Sequence, residues 1–200
     1  MDIDPTTVES AATEDGRRQR SERNRQKIVA AMFELVREGD FDPSVARIAE
    51  QAGVGLRTVF RHFDDVDSLY QEMSSQMEAR ILPEIGKPLT AKEWPDRVKE
   101  LMARRIRIFE DVMPIRICAS ARRFRSEFLM ANHKRFVAQE AIGLSLALPD
   151  EVLANEHQVA AFDIAMSFDT WRRLRQDHRF SRAKAAASVE TILDALIASV

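Results

Sequence analysis

Apolar side chains recur at helical spacing in two short stretches between residues 44 and 63. The first stretch has apolar residues at i, i+3, i+4 and i+7: Val45, Ile48, Ala49 and Ala52. The second has them along one side of the next helix: Leu56, Val59 and Phe63. Because this period is typical of an amphipathic α-helix, the pattern predicts two short helices that are separated by Gly53-Val54-Gly55.

The second of these helices has a polar face that is rich in arginine. Arg57 and Arg61 lie four residues apart on the side away from the apolar stripe, together with Thr58 and His62. Arginine and threonine side chains form hydrogen bonds with base edges and phosphates in the major groove of DNA. The two helices therefore predict a helix-turn-helix motif, with a pair of packed surface helices as the alternative interpretation.

The residues around the two helices fit this geometry. Gly53 can adopt the left-handed conformation that ends the first helix and lets the second begin at an angle. Asp42-Pro43-Ser44 predicts the start of the first helix, with the proline early in the helix and Asp42 or Ser44 as its cap. Upstream, a helix from about Ser21 to Arg37 is expected to complete a three-helix domain. Its apolar stripe consists of Ile28, Ala31, Met32, Leu35 and Val36.

Charge is unevenly distributed near the N-terminus, although the net charge of the chain is only −2. Residues 17–27 contain six basic residues and one acidic residue, whereas residues 1–15 contain five acidic residues and no basic one. A basic segment beside a DNA-binding domain can follow phosphates or enter the minor groove. We expect residues 1–20 to form a disordered arm, for which a passive, solubilising role is the alternative.

From about Gln26 to Met73 the chain resembles the TetR/AcrR family of transcriptional regulators. The matching positions are Gly39 at the end of a helix, Val45-x-x-Ile48-Ala49-x-x-Ala52-Gly53-Val54, Thr58-Val59-Phe60-Arg61-His62-Phe63, and Asp67-Ser68-Leu69 at the start of a fourth helix. The resemblance covers about a quarter of the chain. It implies an N-terminal DNA-binding domain, a C-terminal helical bundle for ligand binding and dimerisation, and release from DNA by small effectors.

The resemblance also implies a set of DNA contacts. Ser44 lies where the family caps its second helix against a phosphate, and Phe60 lies where it more often has a tyrosine. Gly55 and Val66 depart from the family pattern, since they replace a Ser or Thr cap and a lysine that contact phosphates. We expect Arg57 to read a base directly. The predicted DNA-binding residues are Ser44, Arg47, Gly55, Leu56, Arg57, Thr58, Phe60, Arg61 and His62.

The remainder of the chain also has helical periodicity, so the expected fold class is all-α. Broken periodicity at residues 82–89 predicts a helix-turn-helix domain at residues 21–80 and a second helical domain at residues 81–200. Pro114 is expected to end the first helix of the second domain. The helices predicted there are Trp94–Val112, a short apolar piece to Ala121, Glu127–Leu148, Glu156–His178 and Arg182–Val200.

The middle helices of the second domain contain many Phe and Met residues, which suit an adaptable cavity for an apolar small molecule. The residues predicted to bind such a ligand are Phe109, Met113, Phe128, His133, Met166 and Trp171. Aromatic residues at helical spacing equally make an ordinary core, and the residues alone leave both interpretations open. The family resemblance favours the cavity.

The last two long helices carry more apolar surface than a helix with one buried side needs. We expect them to form a homodimer interface of four helices, in which two recognition helices read a palindromic DNA site. The predicted interface residues are Phe162, Phe168, Val189, Ile192, Leu193 and Leu196. Closure of the monomer's own core is the alternative.

Composition argues against several other classes of protein. The chain has no run of about 18 apolar residues and no secretory signal, so we expect neither a membrane span nor export. The single cysteine, Cys118, cannot form a disulfide within the chain and is expected to be buried. The four histidines are scattered, so no metal, cofactor or catalytic activity is expected.

These observations predict a cytoplasmic, homodimeric DNA-binding regulator. We expect a repressor that binds a palindromic operator and is released by a small apolar effector. The alternative is a helical protein–protein interaction module that has lost DNA binding, an interpretation that Gly55 and Val66 keep open.

Overall fold

The protein is all-helical in the computed structural model, which describes the backbone of residues 5–200 and the side chains of residues 16–200. No β-strand occurs in that range, which confirms the predicted fold class. The helices are α1 (Pro5–Arg37), α2 (Val45–Ala52), α3 (Leu56–His62), α4 (Val66–Ile85), α5 (Trp94–Arg122), α6 (Glu127–Ser145), α7 (Asp150–Leu153), α8 (Glu156–Met166), α9 (Phe168–Arg172) and α10 (Arg182–Ala198). No described helix is long and apolar enough to cross a lipid bilayer.

Helices α1 to α4 enclose one apolar core. Each of the four helices contributes side chains that are almost inaccessible to solvent: Ile28, Met32, Leu35, Ile48, Val59, Leu69, Tyr70 and Met73. Full burial of one such side chain contributes about 1.5–3 kcal/mol. This core therefore fixes the position of the short helix α3, which could not persist alone in water.

The turn between α2 and α3 has the predicted geometry. The Oγ of Ser44 caps α2 by accepting a hydrogen bond from the backbone N–H of Arg47 at 3.2 Å. Gly53 ends α2 in the left-handed region at φ 63°, which costs a residue with a Cβ about 1–2 kcal/mol. Pro43 precedes the cap and is buried, so it lies outside the first turn of α2, contrary to our prediction.

Helix α1 is longer than the sequence predicted. Residues 1–20 were expected to be disordered, but α1 begins at Pro5, and only residues 1–4 of that arm lie outside the described part of the chain. Residues 16–23 are exposed. This part of α1 therefore depends on its own backbone hydrogen bonds and not on packing against the core.

Two helices continue through a proline. Helix α5 runs through Pro114 to Arg122, although the sequence predicted that it would stop there. A proline inside a helix removes one backbone hydrogen bond and costs about 3 kcal/mol, which burial of neighbouring side chains can offset. The buried neighbours are Val112, Ile115 and Cys118. Helix α4 similarly extends through Pro83 to Ile85, past the expected domain boundary at residue 80.

Helices α5 to α10 form the C-terminal domain. Trp171 and Phe162 are among its largest buried side chains, and the Phe162 ring lies edge-on to Trp94 with 6.2 Å between ring centroids. The single helix predicted over Glu156–His178 is interrupted at Ser167, because its Oγ accepts a hydrogen bond from the Thr170 backbone N–H at 3.2 Å and starts a new helix.

Polar contacts connect the two domains. At the end of α5, Arg122 donates a hydrogen bond to Oδ1 of Asp42, in the α1–α2 loop, at 2.6 Å. In α6, Arg135 forms an ion pair with Glu78 of α4 at 2.9 Å. A displacement of α4 or α5 therefore changes contacts in both domains.

Candidate nucleic-acid interface and ligand cavity

Helix α3 presents its arginine-bearing face to solvent. Val59 and Phe63 are each only 3% exposed and fix the opposite face against the core. Arg57 and Arg61 are exposed, as the pattern predicted, and Phe60 between them is 52% exposed. Guanidinium groups on a helix that is held in this way are well placed to meet base edges and phosphates.

The first turn of α3 differs from the prediction at Leu56. This residue was expected to help fix the helix against its partner, but it is 46% exposed because the buried contacts begin one turn later, at Val59. Leu56 therefore remains available for the DNA contact that the family resemblance implies. Gly55 provides no side-chain cap, and Thr58 is half-buried.

His62 is less accessible than the predicted set of DNA contacts implies. Its ring is half-buried, and Nε2 has no hydrogen-bond partner among the described residues. Burial, together with the positive charges of Arg61 and Arg25, lowers the pKa of His62 below its ordinary value of 6.5. The ring is consequently neutral at neutral pH and contributes no positive charge to the surface.

Arg25 connects three helices of the N-terminal domain. Its Nη1 donates a hydrogen bond to the backbone oxygen of His62 at 3.1 Å, and its Nη2 forms an ion pair with Glu72 at 2.8 Å. The guanidinium also lies 4.7 Å from the ring centroid of Phe63. In the sequence Arg25 belongs to the basic segment of residues 17–27, and sequence reasoning missed its structural role because both polar partners are distant in the chain.

Further exposed basic side chains lie on α2 and on the N-terminal part of α1. Arg47, at the exposed start of α2, pairs with Glu50 at 3.0 Å, and an exposed pair of this kind contributes little to stability. It can therefore exchange its carboxylate partner for a phosphate at small cost. Arg17, Arg18 and Arg20 are exposed along the N-terminal part of α1.

The C-terminal domain contains a cavity of about 530 Å³. It lies between the end of α4, the α4–α5 connection, α5 and α6. Its apolar lining consists of Ile81, Ile85, Leu89, Leu101, Ile108, Phe109, Val112, Phe136 and Leu146. This volume is in the range of sites that enclose drug-sized ligands.

Most of the residues that were predicted to bind a ligand do not line this cavity. Among the described residues that line it, Phe109 alone belongs to the predicted set. Trp171 and Met166 are fully buried in the core, where Trp171 Nε1 donates a hydrogen bond to Glu110 at 2.9 Å. The other three are half-buried outside the lining: Met113, Phe128 and His133. Helical periodicity identifies inward-facing side chains, but it does not distinguish a cavity wall from a filled interior.

The predicted dimer residues also divide into two groups. Four are at most 2% exposed within the chain's own core: Phe162, Phe168, Val189 and Leu193. For these four the alternative interpretation, closure of the monomer core, is the one that fits. Leu196 is half-buried against the same core, whereas Ile192 is 43% exposed. Ile164 of α8, which we had not included, is 66% exposed.

Cys118 is fully buried, as predicted. Burial raises the pKa of its thiol to about 12, so it is protonated and inert under ordinary conditions. Within the described residues, no group of three or more His, Cys, Asp or Glu side chains could hold a metal ion.

The fold is similar to that of known regulators. No protein-family model matches the chain, and no curated protein does. The solved structure of a transcriptional regulator from Rhodococcus sp. Rha1 matches with a TM-score of 0.67 and 16% identity, over 88% of this chain and 96% of that one. A protein from Mesorhizobium loti, assigned to the TetR family of transcriptional regulators, matches with a TM-score of 0.56 and 21% identity, over 90% and 98%. The likeness is one of fold.

Proposed function

Given the fold that the chain shares with TetR-family transcriptional regulators, we propose that it is a DNA-binding transcriptional regulator whose helix α3 enters the major groove. The exposed Arg57 and Arg61 face, on a helix held by Val59 and Phe63, is the observation that carries this proposal. Arg57 lies in the first turn of α3, and residues at that end of a recognition helix contact base edges. Guanine is the commonest partner of arginine in such contacts.

The proposed functional unit is a homodimer. One short recognition helix reads few base pairs, whereas two copies about 34–36 Å apart read both halves of a palindrome. Ile164 of α8 and Ile192 of α10 leave apolar surface exposed on the two helices that would meet their counterparts. A symmetric, four-helix arrangement would cover both residues in each protomer.

The proposed regulator is a repressor that a small molecule in the cavity releases from DNA. Helix α4 carries Ile81 and Ile85 to the cavity and is separated from α3 by only three residues. Helix α5 also lines the cavity, and its last residue, Arg122, contacts Asp42 in the N-terminal domain. A ligand that prefers one arrangement of α4 and α5 would therefore displace α3, to the extent that its affinity differs between the two arrangements.

Selection of bound fragments from a random DNA pool tests the proposal directly. We expect enrichment of a palindrome whose half-sites are about one helical turn, or a multiple of it, apart. If no sequence is enriched, the regulator assignment is wrong. The chain would then fit better as a protein–protein interaction module, for which the missing cap at Gly55 is the supporting observation.

The Arg57→Ala variant tests the role of α3 itself. We expect specific binding to the selected site to weaken by about 1–3 kcal/mol, with relaxed discrimination at one base position. Arg107→Ala is the matched control, because it removes the same charge from an exposed position on α5. Fluorescence anisotropy with labelled operator and random DNA measures both variants. Equal losses of DNA affinity in the two variants would show that the overall charge of the protein, and not the position of Arg57, determines the affinity.

A further inference from the structure

Basic side chains line the otherwise apolar cavity of the C-terminal domain. The described charged residues of the lining are Lys87, Arg97, Arg104, Arg105, Arg116 and Glu140. Glu140 is already paired with Arg116, whose Nη1 lies 2.7 Å from its Oε1. Lys87 is likewise paired with Glu84, outside the lining. Among the described residues, Arg97 and Arg105 of the lining form no ion pair, and their charges give the cavity a positive potential that low-dielectric walls strengthen.

Two of these residues serve the local structure at the border of the cavity. Arg104 donates a hydrogen bond to the backbone oxygen of Pro88 at 2.9 Å and lies 3.7 Å from a carboxylate oxygen of Glu100. Arg97 donates a hydrogen bond to the backbone oxygen of Ala147 at 3.3 Å. These contacts hold the α4–α5 connection and the end of α6 against α5.

Of these three arginines, Arg105 alone is both buried and without an ion pair to a described carboxylate. It is only 5% exposed. Its guanidinium donates hydrogen bonds to the backbone oxygens of Met166, at 3.1 Å, and Glu140. Burial lowers the pKa of its guanidinium below the ordinary value, and the carboxylates of Glu140 and Asp163 counteract this from a greater distance. An arginine nevertheless stays charged in proteins.

Hydrogen-bonding capacity remains on this guanidinium. It has five N–H donors in a planar fork, of which two hydrogen bonds to carbonyls leave three. Carbonyl oxygens satisfy donors without neutralising the charge, and a buried cation without a counter-ion is costly. A ligand that brings a negative charge to Arg105 would compensate this cost.

We infer that the cavity binds an amphipathic organic acid, with its carboxylate on Arg105 and its hydrocarbon part against the apolar walls. The guanidinium fork matches the two oxygens of a carboxylate. The sequence predicted an apolar effector; because the guanidinium of Arg105 is buried, we expect the ligand to carry a negatively charged group as well. The inference rests on the proposed function only where it treats this acid as the effector. Binding of the acid to the cavity does not require DNA.

Gly143 leaves the space beside this guanidinium open. A Cβ at position 143 would lie 3.7 Å from Nη2 of Arg105 and 3.7 Å from Cδ1 of Leu101. A larger side chain there would extend into the region where the carboxylate is expected. Gly143→Leu therefore closes the site without removing a charge, and leucine has a higher helix propensity than glycine within α6.

Calorimetric titration of the full chain, without DNA, tests the inference. The probes are the straight-chain carboxylates from hexanoate to dodecanoate and the primary alcohols of the same lengths. We expect at least one carboxylate to bind about 10- to 100-fold more tightly than its alcohol, the ratio that a charge-assisted hydrogen bond provides. Alcohols that bind as tightly as the acids, or a complete lack of carboxylate binding, would overturn the inference.

Variants locate the binding site. Gly143→Leu should lose carboxylate binding while it keeps a cooperative thermal transition, and Arg105→Lys should keep a weakened preference for the acid. Arg105→Met should bind acid and alcohol equally. Since Arg105→Met also leaves two carbonyls without donors, its fold is checked by circular dichroism; if it does not fold, the other two variants decide. Undiminished carboxylate binding in Gly143→Leu contradicts the assigned site.

The DNA selection and the carboxylate titration together distinguish failure of this inference from failure of the proposed function. If carboxylates bind in an Arg105-dependent manner but no DNA sequence is selected, the regulator proposal fails and the ligand inference stands. If a palindrome is selected but no carboxylate binds, the ligand inference fails and the regulator proposal stands. If both succeed, addition of the carboxylate should release the labelled operator.

Discussion

At the scale of single residues, Arg25 determines how firmly α3, the proposed recognition helix, is held. Its contacts reach the backbone at the end of α3, a carboxylate on α4 and the ring of Phe63. It lies beside the exposed arginines of α1, yet it belongs to the framework of the domain. A basic residue next to the proposed recognition helix can therefore serve the position of that helix through contacts within the domain.

Replacement of Arg25 by methionine should lower the free energy of unfolding by about 1–2 kcal/mol at neutral pH, since it removes two hydrogen bonds at partly exposed positions. The loss should depend on pH. The hydrogen bond from Arg25 holds the pKa of Glu72 below its ordinary value of 4.5. Ionised Glu72 thus adds stability above its unfolded pKa, and this contribution disappears as the pH falls through its folded pKa.

Urea unfolding at neutral pH and at a pH below the pKa of Glu72 measures this effect. The difference between the native chain and Arg25→Met should shrink in acid. Arg23→Met is the control, because Arg23 is exposed and its hydrogen bond among the described residues stays within its own helix, to the backbone oxygen of Gln19 at 3.3 Å. An equal loss in the control would refute the specific role of Arg25.

At the scale of elements, the connection between α2 and α3 depends on the backbone conformation of one glycine. Gly53→Ala should destabilise the protein by about 1–2 kcal/mol, because φ 63° is unfavourable for a residue with a Cβ. Gly86→Ala is the matched control: Gly86 has φ −75° and follows a helix in the same way. Thermal unfolding of both variants should show a lower midpoint for Gly53→Ala only. A Cβ at Gly53 would meet nothing within 4 Å, so crowding cannot explain a loss there; a loss of equal size at Gly86 would contradict the role of the left-handed conformation.

The basic N-terminal part of α1 is a second element with a measurable contribution. If Arg17, Arg18 and Arg20 meet phosphates, their replacement by glutamine should reduce the slope of log affinity against log salt by roughly 0.9 per lost contact. Titrations of labelled operator at several salt concentrations give this slope. An unchanged slope would assign these residues to a passive, solubilising role.

The elements that could be predicted are those whose signals are local in the sequence. The stripe through α2, the left-handed glycine and the exposed arginines of α3 all follow from residues within about one helical turn of each other. Pro114 was misinterpreted because burial on either side of it outweighs its local preference. The role of Arg25 was missed for a related reason: its polar partners lie 37 and 47 residues away, where periodicity carries no information.

At the scale of the whole molecule, the exposed apolar surface of α8 and α10 is the proposed contact between two copies of the chain. Ile192→Asp should convert a dimer into monomers in sedimentation velocity, because it places a charge in the proposed apolar interface. Ile142→Asp is the control, since Ile142 is 61% exposed on α6, outside that interface. A dimer that survives Ile192→Asp and dissociates with Ile142→Asp would move the interface to α6.

In the proposed mechanism, the distance between the two copies of α3 in the dimer decides whether the dimer can bind its DNA site. The cavity, α4 and α5 lie within one protomer, but only the pair of protomers can match or miss the spacing of successive grooves. Strength of DNA binding and occupancy of the cavity should therefore be coupled through geometry, with each ligand weakening the other to the same extent.

The burial of Cys118 has a practical consequence for spectroscopy. Because this lone thiol is inaccessible and protonated, a cysteine introduced on the surface, for example Ala46→Cys on exposed α2, would be the sole position to react with a nitroxide reagent. A symmetric pair of subunits would then carry one spin label each. Pulsed dipolar measurements on that pair would give the distance between the two labels, and hence between the two copies of α2, before and after a carboxylate is added.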